Sequence, residues 1–253
     1  MSTIYQFLYE TTDVSRFAVR FFRDGLKPPY EMEEIIKQCY VIGYKSLPLV
    51  GITSFIMGLV LTIQSRPTLV EFGAESWLPS MVGISIIREI GPVITALICA
   101  GKIGSSIGAE LGSMKVTEQI DAMEVSGTNP FKFLVATRII ATTLMLPVLA
   151  IMSDAIGIYG SYLAVNIKDT VSFPLFYSQV FNSLSFGDII PSVAKTFFFG
   201  FAIGLIGCYK GYHSDKGTQG VGRSANSAVV ISSLLVFIID LIAVQIADLF
   251  YEL

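Results

Sequence analysis

The stretch SLPLVGITSFIMGLVLTIQS, residues 46–65, decides the fold class. It contains no charged residue, and Lys45 and Arg66 border it on either side. About 20 consecutive apolar residues are enough for an α-helix to cross a bilayer. This stretch therefore predicts a transmembrane helix.

Four further stretches have the same character, with at most two charged residues each: 76–101, 139–167, 189–209 and 224–247. Composition agrees, since 53% of residues are apolar and only 15% are charged, against roughly a quarter charged in soluble domains. We predict an all-α membrane protein with five transmembrane helices over residues 46–253, preceded by a lead-in over 1–45. The net charge of −3 gives no indication of nucleic-acid binding.

Basic residues predict the orientation of these spans, because cytoplasmic loops are enriched in Lys and Arg. Segments 1–45, 102–138 and 210–223 together hold thirteen of them, whereas the opposite side holds only Arg66 and Lys168. We therefore expect a cytoplasmic N-terminus and a C-terminus on the outer, periplasmic side of a multi-pass inner-membrane protein.

Residues 2–23 are too polar to cross a membrane, but their pattern is amphipathic. Arg16, Arg20 and Arg23 lie opposite an apolar helical stripe, which is the pattern of a helix in the cytoplasmic headgroup region. A helix packed on a partner protein is the alternative. The stripe consists of Ile4, Phe7, Leu8, Val14, Phe17, Ala18, Phe21 and Phe22.

Five ionisable residues interrupt the apolar spans: Arg88, Glu89, Asp154, Lys195 and Asp240. At about 1.5 Å per helical residue, all five fall in the outer third of the membrane. Charges at this depth face one another or a polar cavity. They are either the polar rim of an outward-opening cavity or ion pairs that hold helices together. We favour ion pairs or snorkelling for Asp154, Lys195 and Asp240, and a functional role for the adjacent Arg88 and Glu89.

The loop 102–132 contains two features. Gly104, Gly108 and Gly112 recur every four residues, which predicts close backbone approach along one helix face. A second, short amphipathic helix follows, with Thr117 as its N-cap and acidic residues in its early turns. Such a helix is either a surface element or a docking element for a soluble partner.

The chain lacks the sequence motifs of a nucleotide-hydrolysing enzyme. There is no GxxxxGK[ST] phosphate-binding loop, and the three cysteines and single His213 have no metal-ligand spacing. We expect no catalytic residue, no metal and no cofactor in this chain, and nucleotide hydrolysis by a separate protein.

One continuous run is more specific than any short motif. Residues 88–93 (REIGPV), 100–105 (AGKIGS) and 109–123 (AELGSMKVTEQIDAM), together with Gly220–Ala225 and Asp240, resemble the MlaE-type (YrbE) permeases of MCE-associated ABC transporters. The resemblance covers about residues 45–250, so that 46–253 would be an MlaE-type permease domain; segment 1–44 carries no recognised motif of the family.

The resemblance implies a homodimer that binds a cytoplasmic ABC ATPase carrying ATP and Mg, an MCE-domain protein on the outer side, and room for a small cytoplasmic accessory subunit. Its cargo would be phospholipid or a related lipid. Arg88 and Glu89 would lie in an outward-open lipid cavity at the dimer centre, with Leu61 and Gln64 on its wall. The coupling helix between spans two and three would use Glu110, Thr117, Glu118, Gln119, Asp121 and Met123.

Two other functions remain as alternatives. A stand-alone secondary transporter would use Glu89, Asp154 or Asp240 as a proton relay, although five spans without an inverted repeat argue against it. A non-transporting membrane anchor would tolerate the loss of Arg88 and Glu89. Segment 164–188 is predicted to form a short outer-surface helix on which an MCE protein docks.

Overall fold

The structure, a computed structural model, describes residues 3–25, 27–28, 30–167 and 170–251, and these ranges contain helices and no strand. The α-helices are α1 (Thr3–Arg20), α2 (Met32–Cys39), α3 (Leu47–Glu71), α4 (Leu78–Ser85), α5 (Gly91–Cys99), α6 (Ser105–Val116), α7 (Gln119–Val125), α8 (Thr137–Val165), α9 (Phe173–Ser183), α10 (Phe186–Tyr212) and α11 (Thr218–Tyr251). Short π-helical segments continue several of them: Phe21–Gly25, Tyr40–Tyr44, Ile86–Ile90, Ala100–Gly104 and Phe131–Ala136.

Five continuous helices are long and apolar enough to cross a membrane, which confirms the predicted number of spans. They are Met32–Glu71, Glu75–Val116, Phe131–Val165, Phe186–Tyr212 and Thr218–Leu249. Most of these helices extend beyond the predicted spans, most of all at the start of the first, Met32, and the end of the second, Val116. The bounds of the lipid-crossing parts stay predictions. Backbone hydrogen bonding does not stop where the apolar run stops, so charged flanking residues continue the helices. The third helix ends at Val165, before the predicted 167.

The chain divides into two compact units, 1–42 with 99–144 and 200–235, and 43–98 with 145–199 and 236–253. We call them the first and the second unit. In the first unit, α1 inserts Phe17 against the rings of Phe131 and Tyr209, at centroid distances of 5.1 and 5.6 Å. Arg20, predicted on the polar side, places its guanidinium 4.3 Å from the centre of the Phe131 ring, a cation–π contact.

This packing accounts for only part of the predicted stripe of α1. Phe17 and Phe21 are buried, whereas Phe22 is exposed. The side chains of Ile4, Phe7 and Leu8 lie outside the described residues. The position of α1 at a lipid interface stays a prediction.

The core of the second unit forms where α4 packs on α9. Leu78, Val82, Phe176 and Val180 are fully buried there, and Leu61 of α3 packs against them. The short helix predicted within 164–188 is therefore confirmed as α9. Phe181 on its other face is exposed.

Small polar residues join α3 to α8 in the same unit. The hydroxyl groups of Ser54 and Ser153 lie 2.5 Å apart, and Thr62 donates a hydrogen bond to Ser161 at 2.7 Å. Between these pairs Gly58 contacts Gly157 so closely that a Cβ would overlap the Gly157 carbonyl. Close approach at glycine and hydroxyl hydrogen bonds are the usual means of holding helices together in lipid.

Candidate functional site

Three of the charged residues in the spans form one cluster in the second unit. Lys195 of α10 is only 4% exposed, and its Nζ donates hydrogen bonds to Glu89 Oε2 at 2.7 Å and Asp240 Oδ1 at 2.8 Å. Glu89 comes from the π-helical segment and Asp240 from α11, so the cluster ties three helices together. A buried cation with two carboxylate partners avoids the cost of an unpaired charge at membrane depth.

Arg88, the neighbour of Glu89, has a different partner. Its Nε lies 3.4 Å from Asp188 Oδ1. Successive helical side chains point about 100° apart, so adjacent Arg88 and Glu89 reach different partners. Asp188 also accepts hydrogen bonds from the backbone N–H and hydroxyl of Ser185, at 2.8 and 2.7 Å, and so caps the first turn of α10.

Sequence reasoning did not single out Asp188, because it lies near the end of a span where a polar residue is ordinary. The spacing between Asp188 and Lys195 could have indicated its role. Asp188 precedes Lys195 by seven residues, which places both on one face of the same helix.

The π-helical segment Ile86–Ile90 sets the direction of both Arg88 and Glu89. The Pro92 that follows has no N–H and cannot donate to the preceding turn. Ser192 of α10 donates a hydrogen bond to the Ile87 carbonyl at 2.5 Å. Such π-helical turns are frequent at functional sites, since they change the face that a side chain occupies.

Asp154 does not join this cluster through a hydrogen bond or ion pair in the described ranges. Its Oδ1 is buried, and no described side chain donates to it. The carboxylate packs against Gly91, where a Cβ would overlap it. Of the three predicted intramembrane charges, Lys195 and Asp240 therefore pair with each other, whereas Asp154 packs against Gly91.

A pocket of about 30 Å³ opens beside the cluster. Its charged lining consists of Arg88, Glu89, Asp188, Lys195 and Asp248. Leu61 and Gln64, predicted on the cavity wall, do not line it. Leu61 packs against the core beneath α9, and Gln64 is exposed on α3.

The glycine face of the second long helix packs as predicted in the first unit. A Cβ at Gly108 would lie 3.2 Å from Ala225 Cα, and one at Gly112 would lie 3.3 Å from Ser214 Oγ. Sequence reasoning missed the complementary glycine on α10: a Cβ at Gly211 would lie 2.9 Å from the Gly108 carbonyl. The predicted close backbone approach is confirmed at Gly108, whereas a Cβ at Gly112 would first meet the Ser214 side chain and one at Gly104 would lie 3.8 Å from its nearest neighbours.

The predicted coupling segment forms α7, but its start differs from the prediction. Thr117 is not the N-cap of α7, because its hydroxyl donates to the Ser113 carbonyl at 2.8 Å and closes α6. The N-cap is Glu118, which adopts a left-handed backbone conformation at φ 58°. The chain turns at this residue, so α7 leaves α6 at an elbow.

The two faces of α7 have opposite character. Ile120 is buried and Met123 is half-buried, whereas Glu118, Gln119 and Asp121 are exposed and Val125 is 90% exposed. Lys115 of α6 donates a hydrogen bond to Asp121 at 2.8 Å and braces the elbow.

Glu110 forms an ion pair with Arg138. Its Oε1 lies 2.9 Å from Nη2 of Arg138, which is only 3% exposed, and the Arg138 Nη1 donates to the Leu134 carbonyl at 2.9 Å. The predicted coupling residues are thus divided between Glu110, an exposed carboxylate paired with the buried Arg138, and the exposed acidic residues of α7. Nothing among the described residues brings three or more metal-ligating side chains into a metal site.

The fold and the site together define a class: a polytopic α-helical membrane protein with a paired charge cluster inside its spans and an exposed acidic helix between two of them. The chain belongs to the MlaE permease family, whose model, described as "Permease MlaE", matches residues 35–246. Members of this family are transport subunits and not enzymes.

Curated relatives agree with this assignment. The chain is 43% identical over 213 residues to a probable ABC transporter permease protein of Rickettsia typhi, covering 84% of this chain and 82% of that protein. It is 36% identical over 229 residues to a probable ABC transporter permease protein of Synechocystis, covering 88% and 87%. It is also 36% identical over 213 residues to the intermembrane phospholipid transport system permease protein MlaE of Haemophilus influenzae, covering 84% and 82%.

Proposed function

We propose that this chain is the permease subunit of an ABC transporter that moves phospholipid or a related lipid between the bacterial inner membrane and an MCE-domain protein on the outer side. The family match over residues 35–246 carries the proposal, and the phospholipid named for the Haemophilus influenzae relative supports the cargo. The chain acts as a homodimer and receives its energy from a separate ATPase that binds ATP and Mg.

Arg88 and Glu89 are the residues of this chain that meet the lipid head group. The pocket beside them supports this role, since it is a charged recess in otherwise apolar helices. Leu61 and Gln64 contribute to the wall of the cavity in the dimer. The pairing of Lys195 with Glu89 and Asp240 holds the recess in shape.

The α7 helix is the docking element for the ATPase. Its exposed residues Glu118, Gln119 and Asp121 meet the partner, Thr117 and Met123 flank them, and the Glu110–Arg138 pair anchors the helix before it. The brace from Lys115 to Asp121 supports this role, because force transmission needs an elbow that keeps its angle.

The proposal is tested by co-expressing the chain with a candidate ATPase and reconstituting the purified complex in vesicles. We expect ATP-dependent lipid transfer that Arg88→Ala and Glu89→Ala each reduce at least about tenfold, as for loss of a charged contact to the ligand. Arg223→Ala, a basic residue outside the pocket, is the control. Lipid movement driven by a proton gradient in vesicles of the chain alone would instead favour the secondary transporter, and no transfer by the complex would favour the membrane anchor. ATP-dependent transfer that both variants leave intact would exclude Arg88 and Glu89 from the lipid site.

A further inference from the structure

Two neighbouring cavities in the second unit share a wall. One is the charged pocket of about 30 Å³, and the other is a groove of about 430 Å³ between α10 and α11. Gly187, Pro191, Lys195, Ala243 and Ala247 line both. A polar recess directly beside an apolar groove matches the two parts of an amphiphile.

The groove is apolar apart from Lys195 on the shared wall. Ile190, Ala194 and Phe198 of α10 face Ile246 of α11 across it. Its volume falls within the ~300–1,000 Å³ of typical ligand sites. Such a concave apolar groove suits one hydrocarbon chain, and the small side chains Ala194, Ala243 and Ala247 are what keep it open.

The charged pocket contains more acidic than basic groups. Arg88 and Lys195 are its two cations, whereas Glu89, Asp188 and Asp248 line it and Asp240 bonds to Lys195. Each cation already has a carboxylate partner, and Asp248 adds an exposed carboxylate at the rim. A recess with this excess of carboxylates attracts a cationic group.

The volume of the pocket limits what can enter it. About 30 Å³ admits a group of one or two water molecules in size. An ammonium group fits, whereas the larger phosphodiester group, with two non-bridging and two ester oxygens, does not. The phosphate of a ligand would stay at the mouth, where the side chain of Arg88 is 40% exposed.

We infer that one protomer binds a phospholipid with an ammonium-bearing, zwitterionic head group at this composite site. The ammonium contacts Asp248 and the neighbouring carboxylates, the phosphate faces Arg88, and one acyl chain lies between α10 and α11. The inference rests on the proposed lipid cargo and adds to it a head-group class and a chain groove built by a single chain.

Head-group preference is the first test. The purified permease is mixed in detergent with equal amounts of ethanolamine- and glycerol-head-group phospholipids of identical chains, and bound lipid is measured by native mass spectrometry. We expect enrichment of the ethanolamine lipid, and Asp248→Asn should reduce it by about threefold, the effect of one partly exposed charge contact. Asp215→Asn, an exposed acid in the first unit, should leave it unchanged. Equal binding of both lipids, or enrichment that Asp248→Asn leaves intact, would overturn the inference.

Occupation of the groove is the second test. Ala247→Phe fills the groove and should lower the lipid retained severalfold, whereas Leu241→Phe, exposed on the same helix outside the groove, should not. Should Ala247→Phe fail to fold, a tryptophan reporter gives the same information. With Trp77→Phe as background, Ile190→Trp should be quenched by a few equivalents of phospholipid with brominated chains, and Leu241→Trp should not. Equal quenching at both positions would count against the groove.

These measurements separate the two proposals. They use the permease alone and need neither ATP nor a partner. Selective binding without ATP-dependent transfer would remove the transporter assignment and leave the binding site standing. ATP-dependent transfer without head-group preference would remove the proposed binding site and leave the transporter assignment standing.

Discussion

At the scale of single residues, the charge cluster was visible in the sequence but its partners were not. A Lys or Asp inside an apolar run is conspicuous, so Arg88, Glu89, Lys195 and Asp240 could be selected from the sequence alone. Which of them pair depends on how three helices come together, and no spacing along the chain encodes that. Asp188 and Asp248 lie near the ends of spans, where acidic residues are ordinary, and only the tertiary structure places them in the pocket.

Removing the cation of the cluster should destabilise the protein strongly. Lys195→Met leaves the Glu89 and Asp240 carboxylates beside each other without a counter-ion. Breaking a buried pair on one side costs about 3–5 kcal/mol, and we expect the lower end because Glu89 is partly exposed. Thermal unfolding in detergent measures the effect.

The matched control is Arg223→Met, because Arg223 pairs with Asp215 at 3.6 Å and both side chains are exposed. An exposed pair of this kind contributes less than about 1 kcal/mol. Neutralising the whole cluster with Lys195→Met, Glu89→Gln and Asp240→Asn should recover most of the loss. If the triple variant is no more stable than Lys195→Met, the loss of stability does not come from unpaired charge in the cluster.

At the scale of elements, the number of spans could be read from the sequence, whereas the ends of the helices that contain them could not. Hydropathy reports where lipid begins, whereas a helix ends where its backbone hydrogen bonds end. The prediction for α7 failed for a related local reason. Thr117 is a good N-cap residue, but its hydroxyl had a nearer acceptor in the preceding turn, the Ser113 carbonyl. The turn falls instead on Glu118, a residue type that rarely adopts a left-handed conformation.

Glu118→Asn should separate the fold of α7 from its docking. Asparagine tolerates the left-handed conformation better than glutamate, so the melting temperature should stay at or slightly above that of the wild type. The exposed charge is lost, however, and association with the ATPase should weaken by about fivefold or more if the helix docks through its acidic face. Co-purification against a titrated ATPase measures this. Undiminished association would exclude Glu118 from the docking surface.

The α3–α8 contact should be intolerant of a single added methyl group. Gly58→Ala forces a Cβ onto the Gly157 carbonyl, which cannot move without separating the two helices. Overpacking of this kind costs about 1–3 kcal/mol, and we expect a correspondingly lower melting temperature in detergent. Gly222→Ala is the control, because nothing lies within 4 Å of a Cβ there. That substitution should be neutral or slightly stabilising, since alanine favours a helix by up to about 1 kcal/mol over glycine.

At the scale of the whole molecule, the orientation of the chain in the membrane rests on charge alone. Thirteen Lys and Arg residues lie in segments assigned to the cytoplasm and two in the segments opposite. The rule behind this count reflects how loops are retained during insertion. It therefore predicts which side each loop faces, and contacts within the protein carry no information on that. The proposed function depends on it, because the ATPase must meet α7 and the MCE protein must meet the other side.

Cysteine labelling in intact cells decides the orientation. With Cys39, Cys99 and Cys208 replaced by alanine, single cysteines are placed at the exposed positions Phe72, Phe186 and Asp215. A membrane-impermeant maleimide should label Phe72→Cys and Phe186→Cys in intact cells, and Asp215→Cys only after the inner membrane is permeabilised. Because all three side chains are exposed in the structure, accessibility to the reagent is set by the side of the membrane and not by packing. Labelling of Asp215→Cys in intact cells would reverse the orientation, and α7 would then be on the wrong side to meet a cytoplasmic ATPase.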